Sequence, residues 1–128
     1  MSYETILLEK ADFTATITFN RPQVFNAYSE QMSQELKAAV AEISRDETIR
    51  VLFLKGAGDN FLAGADINML NSWSDIAKSQ GGPEVKRILD HHFSPTSLED
   101  LAIPVIALVD GMAWGMAVSY THLRAHET

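Results

Sequence analysis

The sequence predicts an α/β fold with a parallel β-sheet, and the prediction depends on three consecutive stretches. Residues 13–19 (FTATITF) alternate apolar side chains with threonine, which is the period-two pattern of a β-strand. Residues 29–45 carry apolar residues at helical spacing, and residues 51–54 (VLFL) form an uninterrupted apolar run typical of a strand covered on both faces. A strand, a helix and a second strand in this order indicate a parallel crossover.

The chain is predicted to open with a β-hairpin. Residues 6–9 form its first strand, and a short polar break (KAD) separates them from residues 13–19. Alternate side chains of a strand point to one face, so the apolar members of the second strand are expected to face the core. These residues are Phe13, Ala15, Ile17 and Phe19. The threonines between them face outward or against another layer, and Pro22 follows the end of the strand.

The crossover helix is predicted to follow Ser29, which fits an N-cap, with Glu30 in the first turn. Its apolar face comprises Met32, Leu36, Ala39, Val40 and Ile43. A second apolar run at residues 105–109 (VIALV) is predicted to be a strand adjacent to residues 51–54. The turns after both strands then lie at the carboxyl edge of the sheet, where open α/β sheets bind ligands.

The remaining segments give weaker signals. Residues 71–83 are rich in serine, glutamine and glycine, and this composition favours a mobile connection, with a lid as one interpretation. Helical spacing resumes over residues 84–93, and Pro95 is expected to kink or divide that helix. The glycines at positions 56 and 58 lack the third glycine of a dinucleotide-binding fingerprint, so that interpretation is rejected.

Composition excludes several classes of function. The 128 residues are 46% hydrophobic and 21% charged, with no apolar run of membrane-spanning length and no signal-peptide pattern at the start, so we expect one soluble, cytoplasmic domain. A net charge of −7 argues against nucleic-acid binding. There is no cysteine, and His122 and His126 are spaced like a helical metal pair but lack a third ligand, so no metal site is predicted.

The chemistry is expected at the turn after the strand at 51–54. Residues 60–68 read NFLAGADIN, in which three small residues, Ala63, Gly64 and Ala65, let a bound group approach the backbone. A helix that starts here leaves N–H groups without intrahelical partners, which is what a developing oxyanion needs. Asp66 fits the N-cap, with Ile67 and Leu70 as the apolar face of the helix. On spacing alone, an ordinary strand-to-helix turn explains the same residues.

A second turn of small residues makes the pattern more specific. Residues 110–117 (DGMAWGMA) follow the strand at 105–109, and residues 20–27 (NRPQVFNA) lie near the start of the chain. Taken together and in this order, the three segments resemble the crotonase family, the enoyl-CoA hydratases and isomerases. The resemblance runs from about Tyr3 to Ala117. It implies a crotonase-like β-β-α spiral core, truncated before the C-terminal helices.

The resemblance also implies a substrate and a set of site residues. In this family two backbone N–H groups hold the thioester carbonyl of an acyl-CoA, and the matching donors here are Ala65 and Met116. The contact surface for the substrate would comprise Ala63, Gly64, Ala65, Asp66, Ile67 and Asn68. The nucleotide end of CoA would lie near Phe25, Asn26 and Ala27. No cofactor beyond the CoA thioester substrate is implied, and family members are usually trimers or dimers of trimers.

The acids of the hydratase reaction are not found at the matching positions. Hydratases use two glutamates to add water across a 2,3-enoyl double bond, and the first would fall on Ser119 and the second beyond Thr128. Residues 118–128 also resemble translated adapter DNA, so we expect a family domain at 1–117 and a non-native tail. Two hypotheses stay open: part of an enoyl-CoA hydratase or isomerase, or a non-catalytic acyl-CoA-binding or structural piece.

Overall fold

A computed structural model of the chain describes residues 2–64, 66–91, 98 and 101–111. Within these residues the strands are β1 (Ile6–Ala11), β2 (Thr14–Phe19), β3 (Val51–Gly56) and β4 (Val105–Ala107). The α-helices are α1 (Glu30–Arg45), α2 (Ile67–Gln80) and α3 (Gly82–His91), and a short 3-10 turn covers Pro22–Val24. The predicted α/β fold is confirmed.

The strands form one sheet in the order β1-β2-β3-β4. β1 and β2 are antiparallel, with Ile6 opposite Phe19, which confirms the predicted hairpin. β3 lies parallel to β2 and β4 lies parallel to β3, with Leu52 opposite Val105. The predicted adjacency of residues 51–54 and 105–109 is therefore confirmed, and the turns that follow β3 and β4 leave the same edge of the sheet.

The core lies between the sheet and α1. Ala15, Ile17 and Phe19 of β2 are fully buried, as predicted. The buried residues that α1 contributes are Met32, Ser33, Leu36, Ala39 and Ile43. Ser29 caps this helix as predicted, its hydroxyl accepting a hydrogen bond from the amide of Met32 at 3.2 Å. Burial of the apolar side chains of α1 stabilises the fold by roughly 1.5–3 kcal/mol for each large one.

Phe13 departs from the predicted alternation. The hairpin is tighter than expected, because β1 continues to Ala11 and β2 starts at Thr14, so Phe13 falls in the turn. Its side chain is 56% exposed, and the guanidinium carbon of Arg50 lies 4.9 Å from the ring centroid. The prediction that Phe13 faces the core is wrong, because a residue in a turn does not follow the facing rule of a strand.

The predicted connection at residues 71–83 is also wrong, because most of it is helical. α2 runs from Ile67 to Gln80, and α3 starts only two residues later, after Gly81 at a φ of 86°. The serines of α2 are exposed, and polar residues on the solvent-facing side of a helix are compatible with helix formation. Two apolar residues four positions apart, the buried Met69 and the half-buried Trp73, pack against the core. The helical spacing of apolar residues was thus present in the sequence, but it consisted of only these two residues.

The predicted helix at residues 84–93 is confirmed as far as His91, where α3 ends, and the expected kink at Pro95 lies outside the described residues. Among the helices that are described, none combines the length and the apolar character needed to cross a membrane.

Candidate active site

The first turn leads from β3 into α2 and contains the predicted thioester-binding residues. Gly64 is buried at a φ of +99°, a backbone conformation that residues with a side chain rarely adopt. Asp66 caps α2 as predicted, because its Oδ1 accepts hydrogen bonds from the amides of Asn68 at 2.8 Å and Met69 at 3.4 Å. Ala65, between Gly64 and Asp66, lies outside the described residues.

Tyr28 holds this turn on both sides of position 65. The amide of Tyr28 donates to the carbonyl of Gly64 at 2.6 Å, and the amide of Asp66 donates to the carbonyl of Tyr28, also at 2.6 Å. The Tyr28 side chain is buried, and this burial raises the pKa of its phenol to about 12. The start of α1 and the start of α2 are thereby joined through backbone groups, which fixes the path of the chain into and out of position 65.

Arg21 links three segments of the site. Its Nη1 donates to the carbonyl of Ala27 at 2.6 Å, and its Nη2 forms an ion pair with Oδ2 of Asp66 at 3.1 Å. Burial alone would raise the pKa of the Asp66 carboxyl, but hydrogen bonds from Arg21 and from the amides of Asn68 and Met69, together with the Arg21 charge, lower it overall. Asp66 is therefore an ionised carboxylate with its hydrogen bonds already made, which is a poor general acid.

Asn26 organises the loop predicted for the nucleotide end of CoA. Phe25 and Asn26 both have left-handed backbone angles, with φ of 56° and 61°. The buried Asn26 side chain accepts from the amide of Arg21 at 2.9 Å and donates to the carbonyls of Ala57 at 3.0 Å and Asn60 at 2.8 Å. Asn26 thus ties the loop to the first turn, while the Phe25 side chain beside it is 56% exposed.

The second turn touches the first. After β4 the amide of Leu108 donates to the carbonyl of Leu54 at 2.8 Å, and Gly111 follows at a φ of +67°. A Cβ on Gly111 would lie 2.0 Å from the carbonyl oxygen of Asp59, so the two backbones are in direct contact. The two predicted turns therefore converge, although Met116 lies outside the described residues.

The apolar face predicted for α2 is wrong. Ile67 is 71% exposed and Leu70 is 46% exposed, whereas Met69 is buried. The Asp66 cap fixes where the helix starts, and that start turns Met69 rather than Ile67 toward the core. Ile67 and the exposed Asn68 are left facing solvent beside the turn. Two of the residues predicted to contact the substrate are accordingly accessible, and Ala63 is half-buried.

A cavity of about 350 Å³ adjoins the turn. It lies between the N-terminal ends of α1 and α2 and is lined by Thr5, Arg21, Ser29, Glu30, Gln31, Asp66, Asn68, Met69 and Ser72. Arg21 was not among the residues predicted for the site. The available signal was its charge, opposite to that of Asp66, in the segment at residues 20–27 that carries part of the family resemblance. Among the described residues, no group of three His, Cys, Asp or Glu side chains is arranged to hold a metal ion.

The fold and the two convergent turns define an α/β protein with a backbone-lined site, and comparison with known proteins identifies its family. Residues 14–124 match the sequence profile of enoyl-CoA hydratase/isomerase. The chain therefore belongs to the enoyl-CoA hydratase/isomerase family, within the crotonase superfamily.

Two curated relatives cover most of the chain. It is 34% identical over 116 residues to a crotonyl-CoA hydratase of Syntrophomonas wolfei, a match that covers 90% of this chain and 42% of the relative. It is 33% identical over 114 residues to a 1,2-epoxyphenylacetyl-CoA isomerase of Escherichia coli, covering 88% of this chain and 42% of that protein. The chain thus spans well under half the length of these relatives.

Solved structures agree with this assignment. AtuE of Pseudomonas aeruginosa superposes with a TM-score of 0.78 at 35% identity, covering 94% of this chain and 45% of that one. An enoyl-CoA hydratase/isomerase of Marinobacter aquaeolei superposes with a TM-score of 0.75 at 33% identity, covering 93% and 46% of the two chains. The predicted crotonase-like core is confirmed by these similarities.

Proposed function

We propose that this chain binds the thioester of an acyl-CoA at the turn around Gly64, as the N-terminal part of an enoyl-CoA hydratase that hydrates 2-enoyl-CoA. The observation that carries the proposal is the contact between Gly111 and Asp59, because it brings together the two turns from which a shared oxyanion site must be built. Family membership supports the acyl-CoA chemistry, and the hydratase named among the relatives supports the reaction.

The proposed oxyanion donors are the backbone N–H groups of Ala65 and Met116. An enolate-like charge develops on the thioester oxygen when a proton is exchanged at C2, and two donors fixed in advance stabilise that charge without reorganisation. Each donor of this kind contributes about 3–4 kcal/mol to the transition state. The bonds from Tyr28 to Gly64 and Asp66 support this role for Ala65, since they fix the chain on either side of it.

The rest of the proposed contact surface surrounds these donors. Asp66, Ile67 and Asn68 follow Ala65, and Ala63 and Gly64 precede it, while Phe25 and Ala27 present the loop toward the nucleotide end of CoA. In this proposal Asn26 shapes that loop from beneath. The substrate is the only CoA compound required, and no further cofactor takes part. The parent protein is proposed to be a cytoplasmic homotrimer or hexamer.

These 128 residues alone are proposed to be inactive in hydration. Residue 119, where the resemblance places the first acid, is a serine. The Asp66 carboxylate already accepts hydrogen bonds from Arg21 and from the amide of Asn68 at the start of α2. General acid–base catalysis contributes about 10²–10⁴-fold for each positioned group, so loss of two groups removes most of the rate. We further propose that the family domain comprises residues 1–117 and that residues 118–128 form a separate, non-native tail, so that the profile match over residues 118–124 extends past the domain.

An enoyl-CoA isomerase is the second candidate, because the family profile that the chain matches is that of enoyl-CoA hydratase/isomerase. Both reactions need the same oxyanion site and differ in where the acid and base stand. Incubation of the full-length parent protein with a 2-enoyl-CoA and a 3-enoyl-CoA in parallel separates them, since hydration removes the conjugated thioester absorbance and isomerisation of the 3-enoyl compound creates it.

The test uses the chain itself and a chimera in which residues 1–111 are joined to the matching C-terminal part of the Syntrophomonas wolfei hydratase. We expect the chain to bind crotonyl-CoA without turnover, and the chimera to hydrate it. Gly64→Val should abolish activity in the chimera, because a branched side chain closes the backbone approach, whereas Gly82→Val, at an open position, should not. Turnover by the 128 residues alone would show that a group such as Asp66 supplies the acid.

A further inference from the structure

The Arg21 guanidinium spans the two parts of the proposed substrate surface. One part is the turn predicted to hold the thioester, residues 64–68, and the other is the loop predicted for the nucleotide end of CoA, residues 25–27. We propose that Arg21 is a positioning residue that fixes the spacing between these two parts, so that both ends of one acyl-CoA molecule are bound at once. This inference rests on the proposed function.

The geometry of the contacts supports this role. Nη1 reaches the carbonyl of Ala27 at 2.6 Å and Nη2 reaches Oδ2 of Asp66 at 3.1 Å, so the two terminal nitrogens serve different segments. The side chains of Arg21 and Asp66 are only 19% and 14% exposed, which keeps the pair largely out of solvent. A planar guanidinium holds two donors in a fixed relation, which the single ammonium of lysine cannot do.

The Arg21 backbone closes the same loop. Its amide donates to Oδ1 of Asn26 at 2.9 Å, and its carbonyl accepts from the amides of Val24 at 3.0 Å and Asn26 at 2.8 Å. Arg21 therefore shapes the loop at residues 25–27 through its main chain and reaches the turn at residues 64–68 through its side chain. A displacement of either segment strains the same residue.

The two carboxylate oxygens of Asp66 serve different functions, one in capping α2 and the other in binding Arg21. Its Oδ1 accepts from the amides of Asn68 and Met69, and its Oδ2 accepts from Arg21. Removing the guanidinium therefore leaves the cap of α2 in place, and the core beneath the sheet is untouched. Arg21→Gln is expected to fold, with the link between the two segments broken.

The binding experiment compares one intact ligand with its two halves. Titration calorimetry measures butyryl-CoA, butyryl-pantetheine for the acyl end and adenosine 3′,5′-bisphosphate for the nucleotide end. When the two halves are linked in one molecule, binding of one half raises the effective concentration of the other, provided that the two binding segments are correctly spaced. We expect Arg21→Gln to weaken butyryl-CoA by about tenfold or more while each half loses much less, with Arg21→Lys in between.

The control is Lys10→Gln on β1, which removes the same charge from exposed ion pairs with Glu42 and Asp46 of α1 and its C-cap, and should leave all three affinities unchanged. An equal loss for the intact ligand and both halves would show that Arg21 serves only local structure, and no loss for any ligand would show that it is dispensable. Either result overturns the proposal.

A ligand-free measurement keeps this inference apart from the proposed function. The amides of Tyr28 and Asp66, which bond across the two segments, should exchange hydrogen faster in Arg21→Gln, while the amides of Leu52 and Leu54 in β3 keep their protection. Unchanged exchange at Tyr28 and Asp66 would overturn the positioning role. If the wild-type chain bound none of the three ligands while this exchange changed as expected, the proposed function would fail and the structural link would stand.

Discussion

Gly111 and Asp59 meet backbone to backbone, at a separation that leaves no room for a side chain. A Cβ on Gly111 would lie 2.0 Å from the carbonyl oxygen of Asp59 and 2.8 Å from Oδ1 of Asn60. The φ of Gly111, +67°, also belongs to the left-handed region that favours glycine. Two independent constraints thus require glycine where the turn after β4 crosses the turn after β3.

Gly111→Ala should therefore destabilise the chain. We expect a loss of about 2–5 kcal/mol in the free energy of unfolding, from the left-handed backbone together with the forced displacement of the Asp59 carbonyl. Urea denaturation followed by circular dichroism measures it. Gly82→Ala is the control, because nothing lies within 4 Å of a Cβ at that position. Equal stability of the two variants would mean that the turns do not touch as described.

Asn26→Ala should be costly for a different reason. It deletes the partner of the Arg21 amide and of the carbonyls of Ala57 and Asn60, groups that lie inside the fold. We expect a loss of about 2–5 kcal/mol, since buried polar groups left without partners cost about 1–3 kcal/mol each and are partly rescued by water. Thermal and urea unfolding measure the change.

A second substitution separates the side chain of Asn26 from its backbone. Asn26→Gly removes the same hydrogen bonds but tolerates the φ of 61°, so it should be less destabilised than Asn26→Ala. If both variants were as stable as the wild-type chain, the loop at residues 25–27 would not depend on Asn26.

The Asp66 carboxylate gives the stability a predictable pH dependence. Its pKa is lowered in the folded chain, so its contribution is complete above the ordinary pKa of an aspartate, near 3.8, and is lost as pH falls through the folded value. An asparagine side chain can also cap a helix, so Asp66→Asn keeps the cap of α2 and isolates the ion pair with Arg21. We expect it to lower the free energy of unfolding by about 1–3 kcal/mol at neutral pH.

The difference between wild type and Asp66→Asn should shrink steadily below pH 4. Urea unfolding at a series of pH values follows it, with Asp75→Asn on the exposed surface of α2 as the control for charge. A difference that stayed constant down to pH 2, or that grew on acidification, would contradict the assignment of Arg21 and Asp66 as a stabilising pair.

Ile67 should matter for binding and not for stability. It is 71% exposed at the start of α2, so Ile67→Ser should change the free energy of unfolding by less than about 0.5 kcal/mol. Loss of its apolar contact should weaken butyryl-CoA roughly fivefold or more, measured by calorimetry. Leu7→Ser, at a 42% exposed position on β1, should leave the affinity unchanged. Equal affinities for both variants and wild type would remove Ile67 from the ligand surface.

Much of the fold could be predicted because the signals were local. The period-two pattern of residues 13–19 and the capped, periodic helix after Ser29 each reflect burial on one face, which sequence spacing encodes directly. The predictions for Phe13 and for the serine-rich part of α2 were wrong for a related reason. A turn one residue tighter, and a helix with only Met69 and Trp73 packed inward, change the burial without changing the composition.

The site was predictable only in part, because its contacts join residues far apart in the chain. The Asp66 cap follows from local chemistry and was confirmed. The roles of Arg21 and Asn26 depend on hydrogen bonds that span 45 and 34 residues, which no spacing rule reveals. The convergence of the two turns followed from the predicted adjacency of β3 and β4, but the particular contact between Gly111 and Asp59 did not. The oxyanion donors Ala65 and Met116 stay predictions.

The most direct test of thioester binding at this turn is the carbonyl stretching frequency of carbon-13-labelled crotonyl-CoA bound to the chain, measured by isotope-edited infrared spectroscopy. Backbone donors at the turn around Gly64 polarise the thioester carbonyl, so we expect a band at lower frequency than in water, and loss of that shift in Gly64→Val. A bound ligand whose carbonyl band matches that in water, or a shift that survives Gly64→Val, would contradict the proposed site.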